Sequence, residues 1–138
     1  MIEANINYIA VLLVSVASMV LGALWYSPVL FGKQWMHLMG INPKKIDAKK
    51  SSMAKLYFIN FIAAIVMAYI LSHFVDYVGA TDIGSGIQLA IWVWLGFIAT
   101  TMIGTVLWEG KPWKLYLINS GYQLVNLLIA ASILAVWQ

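Results

Sequence analysis

The chain has 138 residues, 63% of them hydrophobic and only 9% charged, with a formal net charge of +3 and no cysteine. A soluble domain of this size has no place to hide that much apolar surface, whereas lipid as solvent accommodates it. The missing thiols exclude disulfides, thiol catalysis and cysteine-ligated metals, and a positive balance made wholly of lysine beside apolar runs is no nucleic-acid footprint.

Four long uncharged runs organise the chain: Ala4 to Gly32, Leu56 to Val75, Ile83 to Trp108 and Leu115 to Gln138. Each is long enough to cross a hydrocarbon core of about 30 Å as a helix, which takes roughly 20 residues. The first holds a span from Asn5 to Tyr26. It lacks a basic leader and exceeds the apolar stretch of a cleavable signal, so it reads as a retained span. Ser15, Ser18 and Gly22 share one face of it. Pro28 then stops the helix. Phe31, Trp35 and Leu38 recur at i, i+4, i+7, the stripe of a short helix lying in the interface, and Gly40 ends it. Asn42-Pro43 has the form of an N-cap with proline at the first helical position. A helix from there runs through the lysines into the second span, Ala54 to Phe74, unless Ser51-Ser52 bends it.

His73 and Asp76 are i, i+3 neighbours at the far end of that span, too few ligands for a metal site. Asp82, Gly84, Ser85 and Gly86 read as a turn before the third span, Ile87 to Trp108, which carries a small-residue ladder at Gly96, Thr100 and Gly104. Gly110-Lys111-Pro112 is a tight turn, and the fourth span runs from Trp113 to Trp137.

Charge sets the expected topology. Lys33, Lys44, Lys45, Lys49, Lys50 and Lys55 lie between the first two runs, and Lys111 and Lys114 between the last two. The remaining turn carries Asp76 and Asp82. Lysine-bearing loops stay cytoplasmic, so both termini are expected outside. Trp25, Trp35, Tyr57, Trp108, Trp113 and Tyr116 then gather at the inner interface. Tyr69, Tyr77, Trp92, Trp94 and Trp137 gather at the outer one, as an aromatic belt. Lys44, Lys45, Lys49 and Lys50 are placed to touch anionic headgroups, which positive loops also do passively.

The pentapeptide Leu56-Tyr57-Phe58-Ile59-Asn60 opens the second span, and Leu115-Tyr116-Leu117-Ile118-Asn119 opens the fourth. The preceding spans also end alike, Gly22-Ala23-Leu24-Trp25 before Pro28 and Gly104-Thr105-Val106-Leu107-Trp108 before Pro112. This points to one domain, residues 1–138, made of two parallel helical hairpins with units of about 5–75 and 83–137. The expected fold is therefore an all-α bundle of four transmembrane helices with a short interfacial helix after the first span.

Asn119, Tyr122, Gln123 and Asn126 form a polar stripe at i, i+3, i+4, i+7 on the fourth span, and Asn60 adds an amide at matching depth on the second. Amides facing lipid would leave polar groups unpaired at several kcal/mol each. The stripe therefore faces protein, water or a ligand. Two readings stand: interhelical hydrogen bonds, or a polar pocket near the repeat interface. No span carries a buried charge; Glu109, beside Trp108 at the end of the third, faces water or pairs with Lys111 or Lys114. Ser27 has no base near it, no paired carboxylates share a span and no phosphate loop is present, so no enzyme, cofactor or metal is expected.

The stretch Gly22-Ala23-Leu24-Trp25-Tyr26-Ser27-Pro28-Val29-Leu30-Phe31-Gly32-Lys33-Gln34-Trp35-Met36 resembles the signature of a bacterial and fungal membrane family catalogued as domain of unknown function 1761. The resemblance covers nearly the whole chain and implies a small integral membrane protein, here of a bacterial inner membrane, without supplying an activity. It draws attention to Trp25, Tyr26 and Ser27 as either an interfacial elbow or the mouth of a pocket.

The expected function is binding or passage of a small, uncharged or weakly polar solute or lipid. The expected site comprises Asn60, Asn119, Tyr122, Gln123 and Asn126, with Trp25, Tyr26, Ser27, Trp108 and Glu109 at its inner end. The alternative is a structural or accessory subunit whose amides hold helices together. The ladders at Ser18/Gly22 and Gly96/Thr100/Gly104 suggest a homo-oligomer, a dimer above others, with the lipid bilayer as the other partner.

Overall fold

The computed structural model describes residues 4–41 and 50–138, with side chains from residue 53 onward in the second stretch. Five helices follow in order: α1 (Tyr8–Trp25), α2 (Gly32–Met39), α3 (Lys50–Tyr77), α4 (Ile83–Leu107) and α5 (Trp113–Val136). No strand occurs among the described residues. Four of the helices are long and apolar enough to cross a membrane, the make-up of a multi-pass membrane protein. The expected helix start at Asn42-Pro43 and the lysines Lys44, Lys45 and Lys49 lie outside the described residues, as does the side chain of Lys50.

Sequence-encoded caps set the ends. The Asn7 side chain accepts from the Ile9 and Ala10 amides at 3.1 and 3.2 Å and so starts α1. At α4 the expected turn gives way to helix. Asp82 is the N-cap, and its carboxylate accepts from the Ser85 amide at 2.8 Å and hydroxyl at 2.6 Å, which draws Gly84, Ser85 and Gly86 into the first helical turn. The exposed Asp82 carboxyl is held below the usual range by those Ser85 bonds, the hydroxyl first. Gly40 closes α2 at φ 69°, a left-handed cap that lets the Ile41 amide return to the Met36 carbonyl at 2.9 Å.

α5 is the most enclosed helix; it packs against α1, α3 and α4, while α1 also packs on α3. α4 lies on the outside of this three-helix group and touches chiefly α5. The closest approach is at Gly86, where an added Cβ would come within 2.8 Å of the Ala131 carbonyl. The ladder Gly96/Thr100/Gly104 is not that contact: a Cβ on Gly96 meets nothing within 4 Å. Ser18 and Gly22 are also no free surface, since Ser18 is buried and Gly22 faces Tyr122.

One end of the group is closed. Asn5 N–H donates to the Asp76 carboxylate at 3.3 Å, Asn7 Nδ2 to the Trp137 carbonyl at 3.3 Å and Gln138 Nε2 to the Ala80 carbonyl at 2.7 Å. Both chain ends and the turn between α3 and α4 therefore meet at this termini end. Beside them His73 lies edge-on to Tyr69 and Tyr77, with ring centroids 4.6 and 5.9 Å apart. Below them sits the core: Ala10, Val11 and Val14 of α1, Ala68, Leu71 and Val75 of α3, and Leu127, Ala130, Ala131 and Leu134 of α5.

The opposite end carries an elbow. After Trp25 the chain turns through Ser27, whose hydroxyl donates to the Leu24 carbonyl at 2.6 Å and whose carbonyl accepts from the Gly32 amide at 2.8 Å. A Cβ on Gly32 would overlap the Tyr26 and Ser27 carbonyls, so only glycine fits there. The Trp-Tyr-Ser-Pro-x-x-Phe-Gly stretch is thus a compact turn that folds α2 back beside α5, with Phe31 packed on Trp25 at 4.8 Å.

α4 is not regular. Trp94–Ala99 forms a π-helical turn. The Trp94 ring, expected in the outer belt, points inward instead, and its Nε1 donates to the Ser120 carbonyl at 2.8 Å. Tyr116 returns a bond to the Ala99 carbonyl at 2.8 Å, and Thr100 and Thr101 donate to the Gly96 and Phe97 carbonyls. Indole and phenol groups here close the α4–α5 seam, because a buried N–H or O–H needs an acceptor and bent helices offer carbonyls.

Candidate intramembrane cleft

Below the core, α1 and α3 separate, and a two-part cleft opens between them and α5. The upper part, about 190 Å³, is lined by Ser18, Met19, Asn60, Ala64, Met67, Tyr122, Gln123 and Asn126, among others. The lower part, about 590 Å³, is lined by Gly22, Tyr26, Trp35, Met36, Met39, Met53, Tyr57 and Asn119, and shares Met19, Asn60 and Tyr122 with the upper. The α3 wall repeats at Met53, Tyr57, Asn60, Ala64 and Met67, one helical face read over its whole length. The α2 residues Trp35, Met36 and Met39 form the side remote from the core.

The polar groups divide into two kinds. Some are engaged within the protein: Ser18 Oγ donates to Asn126 Oδ1 at 2.7 Å, Tyr26 Oη donates to Asn119 Oδ1 at 2.8 Å, and Tyr122 Oη donates to the Ser18 carbonyl at 3.3 Å. These join α1 to α5. Others are not engaged. Gln123 makes no side-chain hydrogen bond among the described residues, and the Nδ2 groups of Asn119 and Asn126 donate to none. Asn60 Nδ2 reaches only the Met19 thioether, at 3.4 Å. Since no fully buried side-chain nitrogen or oxygen among the described residues lacks a partner, these amide atoms lie at the cleft surface.

The structure thus brings Asn60, Asn119, Tyr122, Gln123, Asn126 and Tyr26 together. Trp25 stands just behind them: its Nε1 donates to the Ile118 carbonyl at 3.0 Å and its ring lies 6.3 Å from Tyr122. Ser27 belongs to the elbow. Trp108 is 88% exposed and Glu109 is exposed beyond the end of α4, so neither joins the cleft. The reason is that α4 lies outside the three-helix group, which sequence spacing on one helix does not reveal.

The methionines were not anticipated. Met19, Met36, Met39, Met53 and Met67, five of the seven in the chain, line the cleft. The one signal for them is the α3 period that places Met53 and Met67 on the face of Asn60. Among the described residues no Asp, Glu, Lys or His lines either part, so the described wall of the cleft is neutral.

A family model described as a protein of unknown function, DUF1761, matches residues 9–135. No curated protein and no solved structure matches the chain.

Proposed function

We propose that this chain, which belongs to the DUF1761 family, binds a small uncharged solute or lipid in the cleft between α1, α3 and α5. The observation that supports this reading is the set of amide atoms at the cleft that have no oxygen or nitrogen partner among the described residues: the whole Gln123 amide, the Nδ2 groups of Asn119 and Asn126, and the Asn60 amide, which reaches only the Met19 thioether. A buried amide that only held helices together would use both its donor and its acceptor on them. The cleft is blind at the termini end, where Val14, Leu71 and Leu127 close the seam, so the reading is of a binding site open at the elbow end. Passage across the membrane would require that seam to part. On this reading the protein is not an enzyme, and its amides recognise rather than react.

The test is native mass spectrometry from lipid nanodiscs, comparing the protein with Gln123→Leu. A discrete extra mass on the unchanged protein, lost in the variant while assembly persists, is the expected result. A bare protein in both cases would overturn it. A second reading, a structural or accessory subunit, is favoured by the Ser18–Asn126 and Tyr26–Asn119 bonds, which do join helices.

The finer topology is part of the same proposal: two duplicated hairpins in a bacterial inner membrane, both termini outside, lysine loops inside. Cysteine-accessibility labelling at Asn5 and Lys33, read from each side, tests it; Asn5 reacting only from the cytoplasm would overturn it. A homodimer through the open face of Gly96, Thr100 and Gly104 also fits, and Gly96→Leu is expected to leave monomers. Contact of Lys44, Lys45, Lys49 and Lys50 with anionic headgroups completes the proposal.

A further inference from the structure

The cleft has an inverted order of polarity. Its polar part, with Gln123, Asn126 and Asn60, lies deepest, against the core. Its part nearer the elbow, where a membrane protein meets headgroups, touches Asn60 and Asn119, the latter with its Oδ1 taken by Tyr26, and is otherwise walled chiefly by Met19, Met36, Met39, Met53 and the rings of Trp35, Tyr26 and Tyr57. A phospholipid presents the opposite order, with its head at the interface and chains at depth. Seated here, its head would meet thioethers and rings, and its chain would lie against amides.

Resting on the binding reading above, we infer that the ligand is a neutral molecule with a hydrogen-bonding carbonyl or carboxamide head and a flat aromatic body. It enters head first.

Three features carry this. First, the side-chain NH₂ groups of Gln123 and Asn126 have no acceptor among the described residues, so the deep part offers free donors, and a carbonyl oxygen is the acceptor that meets them. The Gln123 and Asn60 carbonyl oxygens remain to receive an N–H from the same head. Second, among the described residues no carboxylate, lysine or histidine lines the cleft. A charged ligand would lose its hydration with no counter-ion to replace it. Third, the lower walls combine thioethers and rings. Methionine adapts to a flat surface and makes favourable sulfur–aromatic contacts at the edge and face of a ring. Trp35 and Tyr26 are already edge to face at 5.3 Å, and both line the cleft.

The experiment uses the full chain in nanodiscs with ¹³C-methyl methionine, titrated with benzamide. Met102 on α4, outside the cleft, is the internal reference. A saturable shift of Met19, Met36, Met53 and Met67 but not Met102 is expected, with benzoate and toluene far weaker. Gln123→Leu should weaken benzamide about tenfold, the loss of one good hydrogen bond. Equal binding of benzoate would overturn the neutral head, and equal binding of toluene, unmoved by Gln123→Leu, would overturn the polar head. If octanamide shifts the cleft methyls and benzamide does not, the aromatic body is wrong while the cleft remains a binding site. If none of the four moves any cleft methyl, this inference and the binding reading fall together.

Discussion

The seam where α1, α3 and α5 meet is two regions made from the same three helices. Toward the termini it is packed, with Val14, Ala68 and Val75 almost wholly covered. Toward the elbow it is open, and Asn60, two helical turns from Ala68, is exposed. The difference is one of side-chain choice. In the packed half, small residues (Ala10, Ala68, Ala130, Ala131) bring backbones close and Val, Leu fill the rest, as van der Waals packing in lipid demands. In the open half, amides and methionines line a cleft between the helices, and α2 forms its side remote from the core. Closeness in a membrane comes from fit, because lipid supplies no hydrophobic force between helices.

The largest way to break this contrast is to overfill the packed half. Ala68→Leu is expected to cost about 1–3 kcal/mol, read as a lowered thermal midpoint in mild detergent. Ala64→Leu, one turn away on the same helix, points into the cleft and should leave that midpoint nearly unchanged while blocking any ligand. Equal loss from both would show that the cleft is not open. A smaller effect belongs to the bond joining the halves. Ser18→Ala leaves Asn126 Oδ1 without its donor and should cost about 0.6–1.7 kcal/mol by the same measurement. Gln123→Leu sharpens the contrast by doing little: with no hydrogen-bond partner among the described residues to lose, its stability should change by less than about 0.5 kcal/mol. A large loss would assign Gln123 to packing.

The smallest effect is at the end of α4. Ser85 holds the Asp82 carboxyl below its usual range, so this cap stabilises the helix above the ordinary aspartate pKa and fades as pH falls through the lowered value. The protection factors of the Ser85 and Gly86 amides, taken against the intrinsic exchange rate at each pH, should fall on acidification, and Asp82→Asn should remove that change in protection.

The duplicated pentapeptide shows how far sequence carries. Leu56 and Ile59 are 60% and 53% exposed, while their counterparts Leu115 and Ile118 are 4% and 5% exposed. Tyr116 and Asn119 make close bonds to α4 and α1, whereas Asn60 reaches only the Met19 thioether. The two pentapeptides differ only at Phe58 and Leu117, yet their surroundings are opposite: the local pattern specifies helix, and its neighbours decide whether it packs. The polar stripe of α5 was legible for the same reason that it must avoid lipid. The Met wall, the inward turn of Trp94 and the isolation of Trp108 and Glu109 were not, since each depends on which helix stands opposite.

The sequence by itself determined the four long apolar helices, the elbow after α1 and the amides that needed partners, because hydropathy, proline and unpaired polar groups act locally and each leaves a periodic or positional mark. Only the tertiary structure decided that α5 is central and α4 outlying, and that the seam closes at one end and opens at the other. Those outcomes rest on the fit of small against large side chains on different helices, which no single helix encodes.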